Sequence, residues 1–194
     1  EAEEKGEDTS SVHYFGRTDG ATEVYMRVSF LQLAGPPYAS LRAHLDQAIT
    51  GFTEVREKWW SFQPQSWSTY HSFVILETDG GWLHGPLYLV AEKSDSQLTL
   101  MFGRTGETLR FMKEYRPAGT ARSADRCDVR PRRTATKKVT VRRLLEWIDG
   151  PLQRRWQPYD LLRSNCQHFV EDLSKFLDDP EDPAQWDEGV VHPS

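Results

Sequence analysis

The chain has 194 residues, of which 38% are hydrophobic, and a formal net charge of −5 at pH 7. This length supports one domain of ordinary size with a sizeable core. The negative charge argues against general nucleic-acid binding, which needs a basic face, and the sequence has no apolar run of about 18 residues that would form a transmembrane segment.

Composition divides the chain into three segments. Residues 1–10 are acidic and polar and are predicted to be mobile, residues 11–177 to form a single α+β domain, and residues 178–194 to form an acidic, irregular tail. The first ten residues have neither the basic nor the apolar part of a signal peptide, although a signal could have been removed. Because two cysteines do not make a disulfide framework, we expect a reducing, cytoplasmic location.

Hydrophobic periodicity predicts the elements of the domain in chain order. Runs rich in β-branched and aromatic residues predict strands at 12–17, 23–33, 70–78, 87–93 and 97–103. Apolar residues at helical spacing predict helices at 41–62, at 139–149 and from about 164 to 177. The stripe of the first helix consists of Leu41, Leu45, Ile49, Phe52, Val55 and Trp59. We expect the last three strands to form an antiparallel meander that packs against helices.

A basic segment separates the predicted sheet from the last two helices. Residues 116–138 contain eight Lys or Arg against two Asp, with prolines and no periodicity. We interpret this basic segment as a solvated loop. The alternatives are a contact for an acidic partner, a polybasic surface for anionic lipid, and a flap beside an active site.

Cys166 lies in the first turn of the last predicted helix, because Ser164 followed by Gln167 matches a capping box. Unsatisfied N–H groups and the helix dipole favour a thiolate there and can lower the pKa of a cysteine from about 8.5 to ~3.5–7.5. A cysteine at this place is also a common small core residue, and a disulfide between Cys127 and Cys166 would abolish a catalytic role. His168 points away from the cysteine by about 200° and is interpreted as structural.

The residues around Cys166 resemble the nucleophile motif of known thiol enzymes. The run Asn-Cys-Gln-His-Phe-Val at 165–170 resembles the Asn-Cys-Glu-His-Phe-Val motif of lecithin:retinol acyltransferase-like proteins and the Asn-Cys-Asn-His-Phe motif of PPPDE-type deSUMOylating isopeptidases. Both families belong to the permuted papain-like group related to NlpC-type cell-wall peptidases, in which the catalytic His precedes the catalytic Cys. The resemblance covers roughly residues 67–177 and implies a circularly permuted papain-like fold with a Cys–His active site.

His71 satisfies the order that the resemblance requires, because it lies on a predicted central strand upstream of Cys166. Strand alternation places His71, Phe73 and Ile75 on one face. An imidazole there can take the thiol proton and later protonate a leaving group. The same histidine could instead be a hydrogen-bonded strand residue without a chemical role.

A third group should orient the imidazole, and two residues compete for that role. His84 lies 13 residues after the strand histidine, close to the spacing of a second histidine in the acyltransferase-like family. Glu92 comes opposite Phe73 if residues 79–86 form a long loop, whereas a tight turn favours His84. Pro86 cannot donate to a sheet ladder, which favours the longer loop, but the sequence leaves both residues as candidates.

The sequence therefore predicts a thiol hydrolase or acyltransferase that acts on amide, isopeptide or ester bonds through an acyl-enzyme on Cys166, with nearby N–H groups stabilising the oxyanion. The substrate would be a peptide, an isopeptide or an acyl lipid. No cofactor or metal is expected, because metal-ligand spacings and phosphate-binding glycine-rich loops are missing from the sequence. The alternative is a non-catalytic binding or assembly domain that retains a papain-like fold.

Overall fold

A computed structural model describes residues 11–14, 16–19, 23–26, 39–58, 70–81, 85–93, 98–103, 126–152, 154–155, 160 and 164–182. The strands in chain order are β1 (Ser11–Tyr14), β2 (Gly16–Asp19), β3 (Glu23–Met26), β4 (Ala48–Lys58), β5 (Tyr70–Thr78), β6 (Tyr88–Lys93), β7 (Leu98–Gly103), β8 (Cys127–Val129) and β9 (Arg133–Thr140). The helices are α1 (Ala39–Arg42), α2 (Val141–Trp147), which a π-helical turn over Ile148–Leu152 continues, and α3 (Cys166–Asp178). The described residues thus combine antiparallel strands and helices, in agreement with the predicted α+β class.

Seven of the described strands form one antiparallel sheet. Its order is β1-β7-β6-β5-β4-β8, and β9 also pairs with β4. Strand β5 lies in the interior of this sheet and is apolar on both faces: Val74 and Leu76 belong to the larger core cluster, and Phe73 and Ile75 to a second, smaller one. The predicted central position of the strand that carries His71 is confirmed.

Strands β5, β6 and β7 confirm the predicted antiparallel meander. The β5–β6 register runs from Glu77 opposite Tyr88 to Val74 opposite Ala91. Strand β7 continues the sheet on the other side of β6. The three strands therefore adjoin one another in chain order.

The connection from β5 to β6 is a long loop rather than a tight turn. The Thr78 N–H donates to the Leu87 carbonyl oxygen at 3.0 Å, which closes the loop at its base. Gly80 has a φ of +79°, and a Cβ there would lie 2.7 Å from the Pro86 nitrogen. Only glycine fits this close approach in a left-handed conformation without strain.

The predicted helix over 41–62 is wrong, because a single turn, α1, forms at its start and β4 takes up most of the rest. A β-bulge between Ile49 and Gly51 shifts the register of β4. Ile49 and Phe52 consequently both belong to the larger core cluster, whereas Val55 belongs to the cluster on the opposite face. A bulged strand that buries both faces can therefore imitate the apolar spacing of a helix.

The predicted strand over 12–17 is two strands in different sheets. Strand β1 pairs with β7 in the large sheet, and β2 pairs with β3 in a separate two-stranded sheet. Strand β3 covers the start of the predicted strand over 23–33, and residues 27–33 lie outside the described part of the chain. Alternation shows that a run is extended, but it does not show which strand it pairs with.

The basic segment over 116–138 is not a loop in its described part. Strands β8 and β9 occupy most of residues 127–138 and pair with β4, and β-branched threonines and valines in this stretch favour strand. Five of its basic side chains form ion pairs within the chain: Arg126–Glu57, Arg130–Asp128, Arg132–Glu77, Arg133–Asp178 and Lys137–Asp179. These pairs offset much of the charge on which contact with an acidic partner would depend.

Helices α2 and α3 contribute to the larger core cluster together with one face of the sheet. The helix predicted over 139–149 is present as α2 and its π-helical turn, but it begins at Val141 because β9 extends to Thr140. Its predicted apolar side is buried: Val141, Leu144, Leu145 and Ile148. Trp147 of α2 stacks on Phe176 of α3 with ring centroids 4.7 Å apart. Contacts between α3 and β5 bring the start of α3 to the sheet.

Candidate active site

Helix α3 begins at Cys166. Its N-cap is Asn165, whose side-chain oxygen accepts hydrogen bonds from the N–H groups of Gln167 and His168 at 2.8 and 3.1 Å. The predicted cap at Ser164 is wrong by one residue, because asparagine caps a helix as well as serine does. The His168 ring closes the capping box by accepting the Asn165 N–H at 3.4 Å. Its role in the helix start is structural, as predicted.

The side chain of Cys166 is buried against the start of β5, with 1% of the residue exposed. Its Sγ accepts a hydrogen bond from the Ser72 N–H at 3.3 Å and lies 3.8 Å from the Tyr70 carbonyl oxygen. A donor directed at sulfur stabilises the negatively charged form. Cys127 and Cys166 are not joined by a disulfide, so the linkage that would have blocked a catalytic role is not present.

His71 connects Cys166 to a carboxylate. Its Nε2 lies 2.5 Å from Oε1 of Glu92, and Cys166 is close enough to the ring to raise the pKa of His71. Because Nε2 is engaged by the carboxylate, Nδ1 is the ring nitrogen left for the sulfur. The side chain of His71 is 18% exposed and that of Glu92 4%, so the imidazole is the more accessible of the two.

The surroundings of His71 favour its protonated form. Burial alone lowers the pKa of His71, but hydrogen bonds to Cys166 and Glu92 and the charges of both groups raise it to about 10. Glu92 and Cys166 therefore both favour the imidazolium form of His71. A cation beside a cysteine favours the thiolate over the thiol.

Glu92 reaches His71 from the neighbouring strand. The β5–β6 register extends to Ala91 opposite Val74, which brings Glu92 level with Phe73, the pairing expected for the longer loop. Glu92 is 3% exposed, and its carboxylate is directed at the imidazole. The competing candidate, His84, lies outside the described residues.

Ser72 is fixed beside the sulfur by a polar cluster on β4 and β5. Its hydroxyl donates to Glu54 at 3.1 Å, and Glu54 accepts from Nε of Arg56 at 2.6 Å. The Arg56 guanidinium in turn lies 4.6 Å from the ring centroid of Tyr70. Both the hydroxyl and the N–H of Ser72 are thus engaged, which holds the N–H against Sγ.

Lys93 and Ser164 form a further polar contact that sequence reasoning missed. Both are buried, and Nζ of Lys93 donates to Oγ of Ser164 at 2.6 Å. The signal in the sequence is the alternation of β6, which puts Lys93 on the same face as Leu89 and Ala91. Both of those residues belong to the larger core cluster, and a lysine that continues such an apolar face is unusual.

No family model, curated protein or solved structure matches the chain. None of the described helices is long and apolar enough to cross a membrane. Within the described ranges, His, Cys, Asp and Glu side chains do not form a group of three or more that could hold a metal ion. The geometry around Cys166 is therefore the main guide to function.

Proposed function

We propose that this protein is a cysteine-dependent hydrolase or acyltransferase of the permuted papain-like type. The observation that carries the proposal is the grouping of Cys166, His71 and Glu92, in which Glu92 binds the imidazole and Cys166 is close enough to raise its pKa. A thiol, an imidazole and an orienting acceptor in this order are the means by which thiol enzymes activate their nucleophile. The resemblance of residues 165–170 to the motif of lecithin:retinol acyltransferase-like and PPPDE-type proteins supports the same conclusion.

Acylation begins from the ion pair of thiolate and imidazolium. The Cys166 thiolate attacks the carbonyl carbon of an amide or ester, a C–S bond forms, and the dipole of α3 stabilises the oxyanion at its N-terminus. The C–N or C–O bond then breaks, and the leaving group takes the proton from His71. Glu92 holds the ring in place and stabilises its charge through this step.

Deacylation requires His71 to act as a base, and acylation of Cys166 favours this role by lowering the pKa of His71. Once sulfur carries the acyl group, the thiolate charge that helps to raise the pKa of His71 is gone. The imidazole can then accept a proton from water or from an acceptor amine or hydroxyl as that group attacks the thioester. The C–S bond breaks, and the Cys166 thiolate is restored beside protonated His71.

The bond that is cleaved is an amide, an isopeptide or an ester, because the same three groups serve each of these reactions. The substrate is accordingly a peptide, an isopeptide or an acyl lipid. Water as the second nucleophile gives a hydrolase, and an amine or hydroxyl acceptor gives an acyltransferase.

Alkylation with iodoacetamide tests the proposal, with Cys127 as the internal reference thiol. At pH 6 an ordinary thiol is almost entirely protonated, so we expect Cys166 to react about ten- to a hundredfold faster than Cys127. Replacement H71A should remove most of this advantage and abolish turnover of a thiol-hydrolase ester probe. Peptide mapping by mass spectrometry measures the two cysteines separately.

The control is K175A, which removes an exposed side chain near the other end of the same helix and should retain the fast reaction. Circular dichroism establishes that each variant is folded. A Cys166 that reacts at the rate of an ordinary thiol in the folded wild type would overturn the proposal and favour a non-catalytic binding or assembly domain.

A further inference from the structure

Lys93 is a buried cation at the start of the nucleophile helix. It follows Glu92 on β6, so its side chain leaves the opposite face of the strand from the carboxylate that binds His71. Lys93 is 5% exposed, and Nζ donates to Oγ of Ser164 at 2.6 Å. Ser164 is two residues before Cys166. The contact therefore ties β6 to the segment that leads into α3.

Burial of an ammonium group is costly, and a core position on a strand would be more stable with an apolar side chain. On β7, the residue opposite Lys93 is Leu98, which offers no charge. On α3, Asp172 and Cys166 are the charged or ionisable groups that favour the ammonium form. One of the groups that stabilise the buried lysine is thus the proposed nucleophile.

We propose that Lys93 is a positioning residue for Cys166: it holds Ser164, which fixes the turn that presents the sulfur, and it places a second positive charge near the thiolate. This inference rests on the proposed function. Lys93 is then a second cation beside the pair of Cys166 and His71. Its side chain leaves the face of the sheet opposite to Glu92, and it does not take part in proton transfer.

The balance of charges explains why a lysine is useful in this place. Burial lowers the pKa of Lys93 to about 8, and interactions with Asp172 and Cys166 oppose that effect. The ammonium form is therefore retained at neutral pH, where the thiolate must be stable. Above pH 8 the lysine loses its charge, and its electrostatic support of the thiolate is lost with it.

The test is the pH profile of Cys166 alkylation in variants K93M, K93R and S164A of the full chain, with iodoacetamide as the probe. In K93M we expect the rise of the profile to move to higher pH, with an alkylation rate at pH 6 lower by about three- to tenfold. K93R keeps the charge and should recover most of the rate. S164A removes the anchor but not the cation and should give a smaller reduction.

The matched control is K138M, which removes an exposed lysine from β9 and should leave the profile unchanged. If Cys166 is alkylated fast in the wild type and the pH profile of K93M is the same as that of the wild type, the role of Lys93 is overturned. The proposed function then remains intact. Slow alkylation in the wild type would overturn both. If K93M does not fold, the other two variants decide. An unchanged alkylation rate in S164A would exclude a role for the Lys93–Ser164 contact. Loss of the rate in K93R, which keeps the positive charge, would exclude a role for the charge.

Discussion

The His71 ring binds the carboxylate of Glu92, and both Glu92 and Cys166 raise its pKa. These two acceptors outweigh burial in setting the pKa of His71. A histidine between two negative groups keeps its proton until one of them is neutralised. At the scale of single residues, acylation of the sulfur in the proposed reaction would neutralise one of these two negative groups.

Replacement E92Q should lower the pKa of His71, because the imidazolium loses one of its two charged partners. In the wild type the pKa of the ring is raised to about 10, and we expect a decrease of about 1–3 pH units in the variant. Two-dimensional NMR of the ring resonances over a pH series measures it. The control is E77Q, which removes a carboxylate that binds Arg132 on the neighbouring stretch of sheet. An unchanged titration in E92Q would exclude Glu92 as the orienting group.

Lys93 gives a pH dependence of stability with a defined sign. Between its folded pKa of about 8 and its ordinary value of 10.5, the unfolded chain binds more protons than the folded chain, so stability rises with pH across this range. Relative to K93M, the free energy of unfolding of the wild type should therefore increase by roughly 1–3 kcal/mol from pH 8 to pH 10.5. Urea unfolding at a series of pH values measures the difference. A flat difference would show that Lys93 titrates in the folded protein as it does in water.

At the scale of elements, the first turn of α3 combines a cap with the proposed nucleophile. Asn165 satisfies the Gln167 and His168 N–H groups with a neutral oxygen. A carboxylate would satisfy the same groups but would add a negative charge next to Cys166. The neutral cap is therefore compatible with a thiolate in a way that an aspartate is not.

Variants N165A and N165D separate capping from electrostatics. N165A should lower the free energy of unfolding by about 1 kcal/mol, because two N–H groups lose their acceptor. N165D should retain the stability of the wild type but slow alkylation of Cys166 at pH 6 by about three- to tenfold, since a like charge disfavours the thiolate. Chemical denaturation and mass-spectrometric alkylation give the two readouts. Equal alkylation rates in N165D and the wild type would argue against thiolate chemistry at Cys166.

The elements also show what the sequence can and cannot predict. The start of α3 and the strand of His71 are local patterns, so they are predicted to within a residue or two. Glu92 comes next to His71 through strand register, which depends on a loop conformation that the sequence leaves open. The wrong helix over 41–62 has the same origin, because a bulge and burial on both faces depend on neighbouring strands that a local pattern does not contain.

At the scale of the whole molecule, one face of the sheet and the helices share a core that lies beneath the site. The stacked rings of Trp147 and Phe176 join α2 to α3 within this core. Phe176 is near the end of α3 opposite to Cys166. The Trp147–Phe176 stack and the proposed chemistry are therefore at opposite ends of one helix.

Variant F176A should lower stability without changing the chemistry of the folded site. We expect the free energy of unfolding to decrease by about 3–5 kcal/mol, as for large-to-small replacements in a core. The control K175A removes only an exposed ion pair with Glu171 and should cost less than about 0.5 kcal/mol. Urea unfolding measures both, and alkylation of Cys166 in the folded fraction of F176A should match that of the wild type. A specific loss of reactivity in folded F176A would show that the site depends on distant packing.

The separation of the site residues along the chain has a consequence for how the protein folds. His71 and Glu92 are 21 residues apart, but Ser72 and Cys166, which meet at the sulfur, are 94 apart. Contacts between such distant residues form late, because closing a long loop costs entropy before any contact is gained. Folding usually protects a buried cysteine from alkylation. Under the proposed function, the thiol of the unfolded chain reacts slowly at pH 6 and docking of α3 activates it, so a pulse of iodoacetamide during refolding should label Cys166 more strongly as the native state accumulates.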